Sequence, residues 1–543
     1  MDAEILSCGD RDGRPVERMA RRPAETQEDV LRGLLFANRH TRFGVEHGFA
    51  AIRDAAGFQA RVPVQDYEML RPDIDAQRRT GAQALTAESP LSYAQTSGTT
   101  GAPKYIPLTP SMLAMLRAEQ ALFSDLQFRA CPSAFAGKAL GIVGAAVEGR
   151  LDSGHAVGSV SGYLYDTLPA AVQSRYVVPS LVFGISDYDL KYLVIVRLAL
   201  AEPNIRWLAS ANPSTFLHLL DVLNGQRELL LDSVRTGTLD ALGALDTPQR
   251  DAVAQRIRPD PARAARLDAE GILTFANVWP DIRLVTTWMG GSCGIALERV
   301  RAKLPPAAKV MELGYQSSEF RGTIPLDAET PGGLPTLHHH FFEFVAQAEW
   351  EADRPEFLTL DRLELHRRYY VLITTASGLY RYFMNDIVEV TGFFHRTPLL
   401  RFLQKGKGVT NLTGEKLYET QIIDAMQNTA TRFSLASLFF LLVADAENAT
   451  YRLWIELDDD RHPEAHVVAA AIDHRLGELN IEYRSKRASG RLAPLTVAWL
   501  KRGAGEAYKV ACVHAGQREG QFKPAVLQYR RDLRFSFDDY LMP

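Results

Sequence analysis

The sequence has few of the features that would narrow its role at a glance. Only four cysteines occur in 543 residues, Cys8, Cys131, Cys293 and Cys512. None stands in a C-x-x-C pair, so neither a zinc knuckle nor a disulfide framework is expected, and the thiols suit a reducing compartment. No run of about eighteen apolar residues occurs, which excludes a membrane-spanning helix on sequence grounds. Charge of neither sign prevails: 61 Lys and Arg face 65 Asp and Glu, a formal net charge of −4, and this balance asks for neither nucleic acid nor an anionic membrane. The opening stretch MDAEILSCGDRDGRPVERMARR is charged throughout and lacks the apolar core of a secretory signal, so a cytoplasmic location is expected.

At about 150 residues per domain the length implies two to four domains, and 46% hydrophobic residues can fill large interiors. The most informative stretch runs from Ser92 to Thr109, SYAQTSGTTGAPKYIPLT. Its hydroxyls (Ser92, Thr96, Ser97, Thr99, Thr100), the glycines Gly98 and Gly101, and Lys104 suit a polyphosphate. Glycine lets the backbone approach closely, amides and hydroxyls donate to phosphate oxygens, and lysine supplies a point charge. A strand is expected over 91–94. Thr109 reads as a helix N-cap with Pro110 at the first helical position. The loop is not a Walker A motif, since Pro103 precedes the lysine.

Residues 1–26 read as a polar lead-in expected to fray, and apolar spacing predicts a helix over 27–38. The segment RVPVQDYEMLRPDIDAQ predicts an extended piece turning into a helix. Between Leu140 and Gly162, the six glycines 141, 144, 149, 154, 158 and 162 predict loops and strand ends near a ligand. A strand over 283–289 ends at Gly290-Gly291-Ser292, and another over 309–313 runs into Gly314-Tyr-Gln-Ser-Ser-Glu319. Strand, loop and helix in succession predict an α/β fold with ligands at the carboxyl ends of the strands. From Leu337 the character turns to β, with HHHFFEFV, YYVLITT, LYRYFMNDIVEVTGFF and LLRFLQ. The expected organisation is a large domain over 27–403, a Gly- and Lys-rich hinge over 404–408, and a small α+β domain over 409–543.

The loop Thr96-Ser-Gly-Thr-Thr-Gly-Ala-Pro-Lys104 resembles the phosphate loop of the adenylate-forming superfamily of acyl-CoA synthetases, luciferases and peptide-synthetase adenylation domains. Gly290-Gly291-Ser292 is similar to its strand-end glycine pair at the adenine pocket. Tyr315-Gln316-Ser317-Ser318-Glu319 is similar to its aromatic-x-Ser/Thr-Ser/Thr-Glu motif. Asp386, closing Tyr380-Arg-Tyr-Phe-Met-Asn-Asp386, matches the residue that holds both ribose hydroxyls. Gly520-Gln-Phe-Lys523-Pro resembles the segment whose lysine a mobile small domain brings to the acyl carboxylate and α-phosphate. The longer phrases VPVQDYEMLRP, KYIPLT, SGLYRYFMNDIVEVTGF and LTGEKLYE resemble the Gretchen Hagen family of acyl-acid amido synthetases, in its bacterial type.

The resemblance implies an ATP-dependent, AMP-forming ligase that adenylates a carboxylic acid and passes the acyl group to an amine, in particular an amino acid. It assigns Thr96, Ser97, Gly98, Thr99, Thr100, Gly101 and Lys104 to the phosphates, Gly290, Gly291, Ser292, Tyr315 and Gln316 to adenine and its surroundings, and Ser317 and Ser318 to phosphate. Asp386 and Lys405 fall to the ribose and hinge side, Glu319 to Mg²⁺, and Lys523, Glu319 and Lys104 to catalysis. The chain differs from the superfamily pattern at Gln316, at Asn385 where glycine is usual, and at Gln404-Lys405 where Gly-Arg is common. Lysine lacks arginine's bidentate fork, whereas Asn tolerates left-handed backbone. A thiol acceptor (coenzyme A or a carrier-protein arm) and a non-catalytic ATP-binding sensor or scaffold remain open, as does Lys509 as competitor to Lys523.

Three further features read as structural. His338-His339-His340 on an extended run would alternate faces and so share no ion. Glu343 reads as a base near the acyl site or, more simply, a structural acceptor. Met112, Met115 and Leu116 read as core.

Overall fold

Short runs of β-branched and aromatic residues, broken by glycine and separated by amphipathic stretches, assemble into several small sheets with helices packed on them. The computed structural model describes residues 16–96, 104–290, 293–330, 332–352, 354–406, 408–410, 412, 415, 417–488, 490, 492–515 and 522–542. The fold is α/β. The chain divides into two units, Met1–Met289 with Leu297–Met384 and Val388–Arg401, and Gly290–Ala296 with Asn385–Ile387 and Phe402–Pro543. No helix among the described residues is long and apolar enough to cross a membrane.

The first unit holds an all-parallel sheet in the order Lys138–Ile142, Ile205–Ser210, Leu284–Thr287, Lys309–Glu312. Every residue of Leu284–Thr287 is buried, as expected for a parallel strand covered on both faces. A second sheet runs in the order Lys104–Leu108, Ser92–Thr96, Ala156–Gly158, Gly149–Arg150. Its first two strands are antiparallel, with Thr96 opposite Lys104 and Ser92 opposite Leu108. The phosphate loop is therefore the connection of a hairpin, and a strand lies between it and the following helix. Pro107 is tolerated there because Lys104–Leu108 is an edge strand, where a missing N–H costs no ladder bond. The helix Pro110–Ala130 then starts as the sequence predicts, the Thr109 side chain accepting from Met112 N–H.

The β-rich portion is a sheet in the order Leu358–Thr359, Phe341–Ala346, Arg368–Thr374, Tyr382–Phe394, Thr397–Lys405. Two expectations need correction here. Residues 16–26 are not a loose lead-in: Val16–Ala20 and Pro23–Asn38 are helical, Met19 is buried, and Ala20 is buried against Leu334 and Leu399. His338–His340 form a turn rather than an extended run, so face alternation does not apply. His339 Nδ1–H donates to Glu119 Oε1 at 2.8 Å, and His340 Nε2 lies 3.5 Å from the same oxygen. Among the described residues no group of three or more His, Cys, Asp or Glu is arranged to hold a metal ion.

The second unit is built on a sheet in the order Thr496–Leu500, Thr450–Leu457, Ser437–Asp445, Leu527–Tyr529. Alternation along Ser437–Asp445 sends Phe440, Leu442 and Ala444 into one core and Leu441 and Val443 into another, so both faces of this sheet are covered. The helix Glu419–Phe433 packs Ile422, Ala425, Met426 and Thr429 inward, the i, i+3, i+4, i+7 spacing of one helical face.

Candidate active site

In the first unit the parallel strands end together, and their ends are fastened by side chains. The Glu312 carboxylate accepts from the backbone N–H of Met289 at 2.7 Å, of Leu313 at 3.0 Å and of Gly314 at 3.2 Å. Trp288 Nε1–H donates to the Gly314 carbonyl at 3.1 Å, and Trp288 N–H to the Ala211 carbonyl at 3.0 Å. One carboxylate thus ties the segment leading to Gly290 to the segment leading to Tyr315, giving a partner to the Met289 and Gly314 N–H groups where the chain leaves the strands. Gly314 turns with φ of 94°, where a Cβ would lie 2.5 Å from the Thr323 carbonyl. Glycine is required on both counts.

Residues 315–323 form a closed hairpin. Gly322 and Thr323 N–H both donate to the Tyr315 carbonyl, at 2.7 and 3.0 Å, and Ser317 N–H donates to the Phe320 carbonyl at 2.9 Å. Tyr315 N–H is bound to Thr323 Oγ1 at 2.9 Å. The Tyr315 ring meets Phe320 edge-on at 5.2 Å, which fixes its plane. Gln316, Ser317 and Glu319 are partly buried and Ser318 is buried, while Glu319 N–H bonds Ser317 Oγ at 3.3 Å. The hairpin tip therefore carries two hydroxyls and one carboxylate, an oxygen-only set with one formal charge.

The stem of the phosphate hairpin is also in this unit. Lys104 Nζ lies 5.4 Å from the Tyr67 ring centroid, and Tyr67 Oη accepts the Tyr105 N–H at 2.6 Å. Burial pushes the Tyr67 phenol up to about 12, so it stays neutral and serves as a fixed rest for the strand. Ser97, Gly98, Thr99, Thr100 and Gly101 lie outside the described residues, as do Gly291 and Ser292, and of Thr96 and Lys405 only the backbone is described.

The second unit carries Gly290, Asp386 and Lys523. A Cβ on Gly290 would lie 3.2 Å from the Phe402 carbonyl. Asn385 has φ of 53°, so the left-handed position that glycine would serve is taken by the residue type best able to replace it. Its carbonyl accepts the Gly406 N–H at 2.7 Å. Asp386 beside it is 1% exposed. Lys523 is exposed, with Nζ 4.7 Å from the Phe402 ring centroid. Burial lifts the Glu419 carboxyl to about 7 against the pull of the Val526 N–H and the Lys523 charge. The Glu419 side chain rests on Gly408, where an added Cβ would lie 2.8 Å from Cδ. Lys509, by contrast, is buried on the helix Ala504–His514 and bonds Glu506 at 3.3 Å.

Sequence reasoning did not find Glu312, Tyr67, Phe402 or Glu419. A single acidic residue closing a strand carries no signal until the amides it caps are known. Glu343 takes the simpler of its two readings: on the strand Phe341–Ala346 it accepts from Arg381 Nε at 3.0 Å and from Nε2 of Gln59 on the helix Ala55–Arg61 at 3.0 Å.

Comparison with known proteins shows the family of the chain and relatives of its fold. Family models match in chain order: the GH3 family N-terminal domain over residues 14–307, the GH3 family central domain over 333–405, and the GH3 family C-terminal domain over 420–532. An indole-3-acetic acid-amido synthetase of Arabidopsis thaliana, GH3.3, is 23% identical across 94% of this chain and 90% of its own. One from Oryza sativa subsp. indica, GH3.8, is 26% identical across 76% and 72%. Among solved structures, the GH3.15 acyl acid amido synthetase superposes with a TM-score of 0.86 at 21% identity over 97% of this chain and 95% of that one. A 2-hydroxyisobutyryl-CoA ligase superposes at 0.56 with 14% identity, over 95% and 92%.

Proposed function

The chain belongs to the GH3 family, and from that premise we propose that it is an ATP-dependent, AMP-forming ligase joining a small carboxylic acid to an amino acid in the cytoplasm. The observation that carries the reading is the fastened hairpin Tyr315–Glu319 at the carboxyl end of the parallel strand Lys309–Glu312, where an α/β sheet places its ligand.

A carboxylate cannot acylate an amine directly, because its leaving group would be an oxide. It first attacks the α-phosphorus of ATP and expels pyrophosphate, giving an acyl-adenylate whose leaving group is AMP. Negative charge gathers on the phosphoryl oxygens in that step, and fixed donors and cations are the main lever on it. Lys104 and the hairpin hydroxyls serve the β- and γ-phosphates, and the Tyr315 face serves adenine. Lys523 supplies the cation for the acyl carboxylate and α-phosphate, a role Lys509 is too enclosed to share. Asp386 is assigned to the ribose hydroxyls, and its enclosure means the packing around it opens to admit them. Glu319 with Ser317 and Ser318 fits Mg²⁺, an ion that takes one or two carboxylates and completes its shell with phosphate oxygens and water. When bound, that ion neutralises pyrophosphate charge. In the second step the amine attacks the acyl carbon, loses a proton, and AMP departs.

Acid-dependent exchange of pyrophosphate into ATP tests the first step. Adding amino acids or coenzyme A to the pre-formed acyl-adenylate then tests the second. AMP release hastened by an amino acid supports the proposal; release hastened by the thiol alone removes the amide assignment. ATP binding without exchange for any acid favours the sensor reading.

A further inference from the structure

Arg321 follows the candidate metal ligand by two residues and is 5% exposed. Nη1–H donates to Gln120 Oε1 at 3.0 Å and Nη2–H to the Leu313 carbonyl at 3.2 Å, while the guanidinium lies 4.4 Å from the Phe123 ring centroid. Gln120 and Phe123 belong to the helix Pro110–Ala130. Behind Arg321 the connection returns by another route. Thr336 Oγ1–H donates to the Arg321 carbonyl at 2.6 Å, and three residues later His339 bonds Glu119 on the same helix at 2.8 Å. Further along, Gln127 Nε2–H donates at 2.9 Å to Thr286 Oγ1 on the strand Leu284–Thr287. A single helix, separated from the phosphate-hairpin strand only by its cap Thr109, thereby grips both strand ends from which nucleotide-facing segments emerge.

Packing alone does not call for arginine at this place. A buried guanidinium is costly unless bonded and countered, and an apolar side chain of similar volume would fill the space over Phe123 at less cost. What only arginine supplies is a planar fork that bonds acceptors on two elements at once while stacking on a ring. Its counter-charge is Glu119. Burial would raise that carboxyl, but the hydrogen bond from His339 and the close approach of His340 outweigh it and hold it near the bottom of the carboxylate range, at about 2.

We propose that Arg321 is a positioning residue for acyl-adenylate formation: it locks the Tyr315–Glu319 hairpin to the helix Pro110–Ala130, so that the aromatic and carboxylate of that hairpin keep one spacing from the phosphate hairpin. This rests on the adenylating reading given above. Arg321 touches no substrate; it acts through the Leu313 carbonyl, which immediately precedes Gly314 and Tyr315.

The test uses Arg321→Lys, with Gln120→Ala as a second variant that removes one anchor without emptying the interior. Two quantities are read in the full-length protein: amide hydrogen exchange over residues 313–323, and the KM for ATP in pyrophosphate exchange, corrected for active fraction. Both variants are expected to speed exchange of the 313–323 amides and raise the KM for ATP about tenfold, the loss of one charged hydrogen bond, with the KM for the acid within about twofold. A merely structural role lowers the active fraction and leaves the KM for ATP alone, which overturns the proposal. Unchanged amide protection in both folded variants overturns it too. If the wild-type chain exchanges no pyrophosphate with any acid, the adenylating reading fails, and the amide protection still decides whether Arg321 holds the hairpin.

Discussion

The Tyr315–Glu319 hairpin of the first unit and the Lys523 segment of the second are held in opposite ways. The hairpin is closed by its own backbone, capped at its base by Glu312 and gripped from behind by Arg321 and Thr336. Lys523 is exposed on a segment without regular structure, its ammonium over the Phe402 ring and in the field of Glu419. An exposed cation on an aromatic face gains about 0.5–1 kcal/mol. In the proposed reaction, recognition falls to an enclosed hairpin and the charge brought to the reacting carboxylate to an exposed lysine.

Substitutions can break this contrast in order of effect. Lys523→Ala should slow pyrophosphate exchange about 10³-fold, the scale for losing a charge-stabilising donor, with ATP affinity nearly unchanged. Loss of affinity instead of rate would make Lys523 part of the fixed recognition set. Lys509→Ala run beside it should leave the exchange rate within about twofold. Lys104→Ala should slow exchange about 10²-fold while aminolysis of supplied acyl-adenylate proceeds; equal damage to both steps would contradict its place on the pyrophosphate side. Glu312→Gln keeps the shape but turns an amide N–H toward backbone donors. It should raise the KM for ATP about tenfold, measured in the same exchange assay, and leave the acid KM alone.

The smallest effect concerns pH. Glu419 has a folded-state pKa raised to about 7 from 4.5, so the folded state holds a proton the unfolded chain has released. Its contribution favours folding below about pH 4.5 and is lost as pH rises toward 7. Glu419→Gln should therefore raise the melting midpoint at pH 8 by about 3 °C and change it little at pH 4. Equal shifts at both pH values would show that ionisation of this carboxyl is not what the fold resists.

The parallel strands, the Thr109 cap and the α/β layering were legible because each rests on local chemistry: β-branched runs, a hydroxyl before proline, glycine at a strand end. The strand Lys104–Leu108 was hidden because proline argues against strands, and only its place at a sheet edge makes it harmless. The helix Val16–Ala20 was hidden by its charged setting, since burial of Ala20 depends on partners more than 300 residues away, Leu334 and Leu399. The pairing of His339 with Glu119 spans 220 positions, and no periodicity within either segment announces it. For the candidate site, motif order marked which residues to watch. The groups that hold them, Glu312, Arg321 and Tyr67, appear only when the backbone amides and carbonyls have places.

The central claim is that this chain joins an acid to an amine at the expense of ATP. A matrix of carboxylic acids against amino acids, scored for AMP release and for the mass of the product, addresses it most directly. AMP should appear only in wells holding both partners, together with a product at the mass of their amide. AMP release that needs coenzyme A in place of the amine, or a product lacking the amide mass, would contradict it.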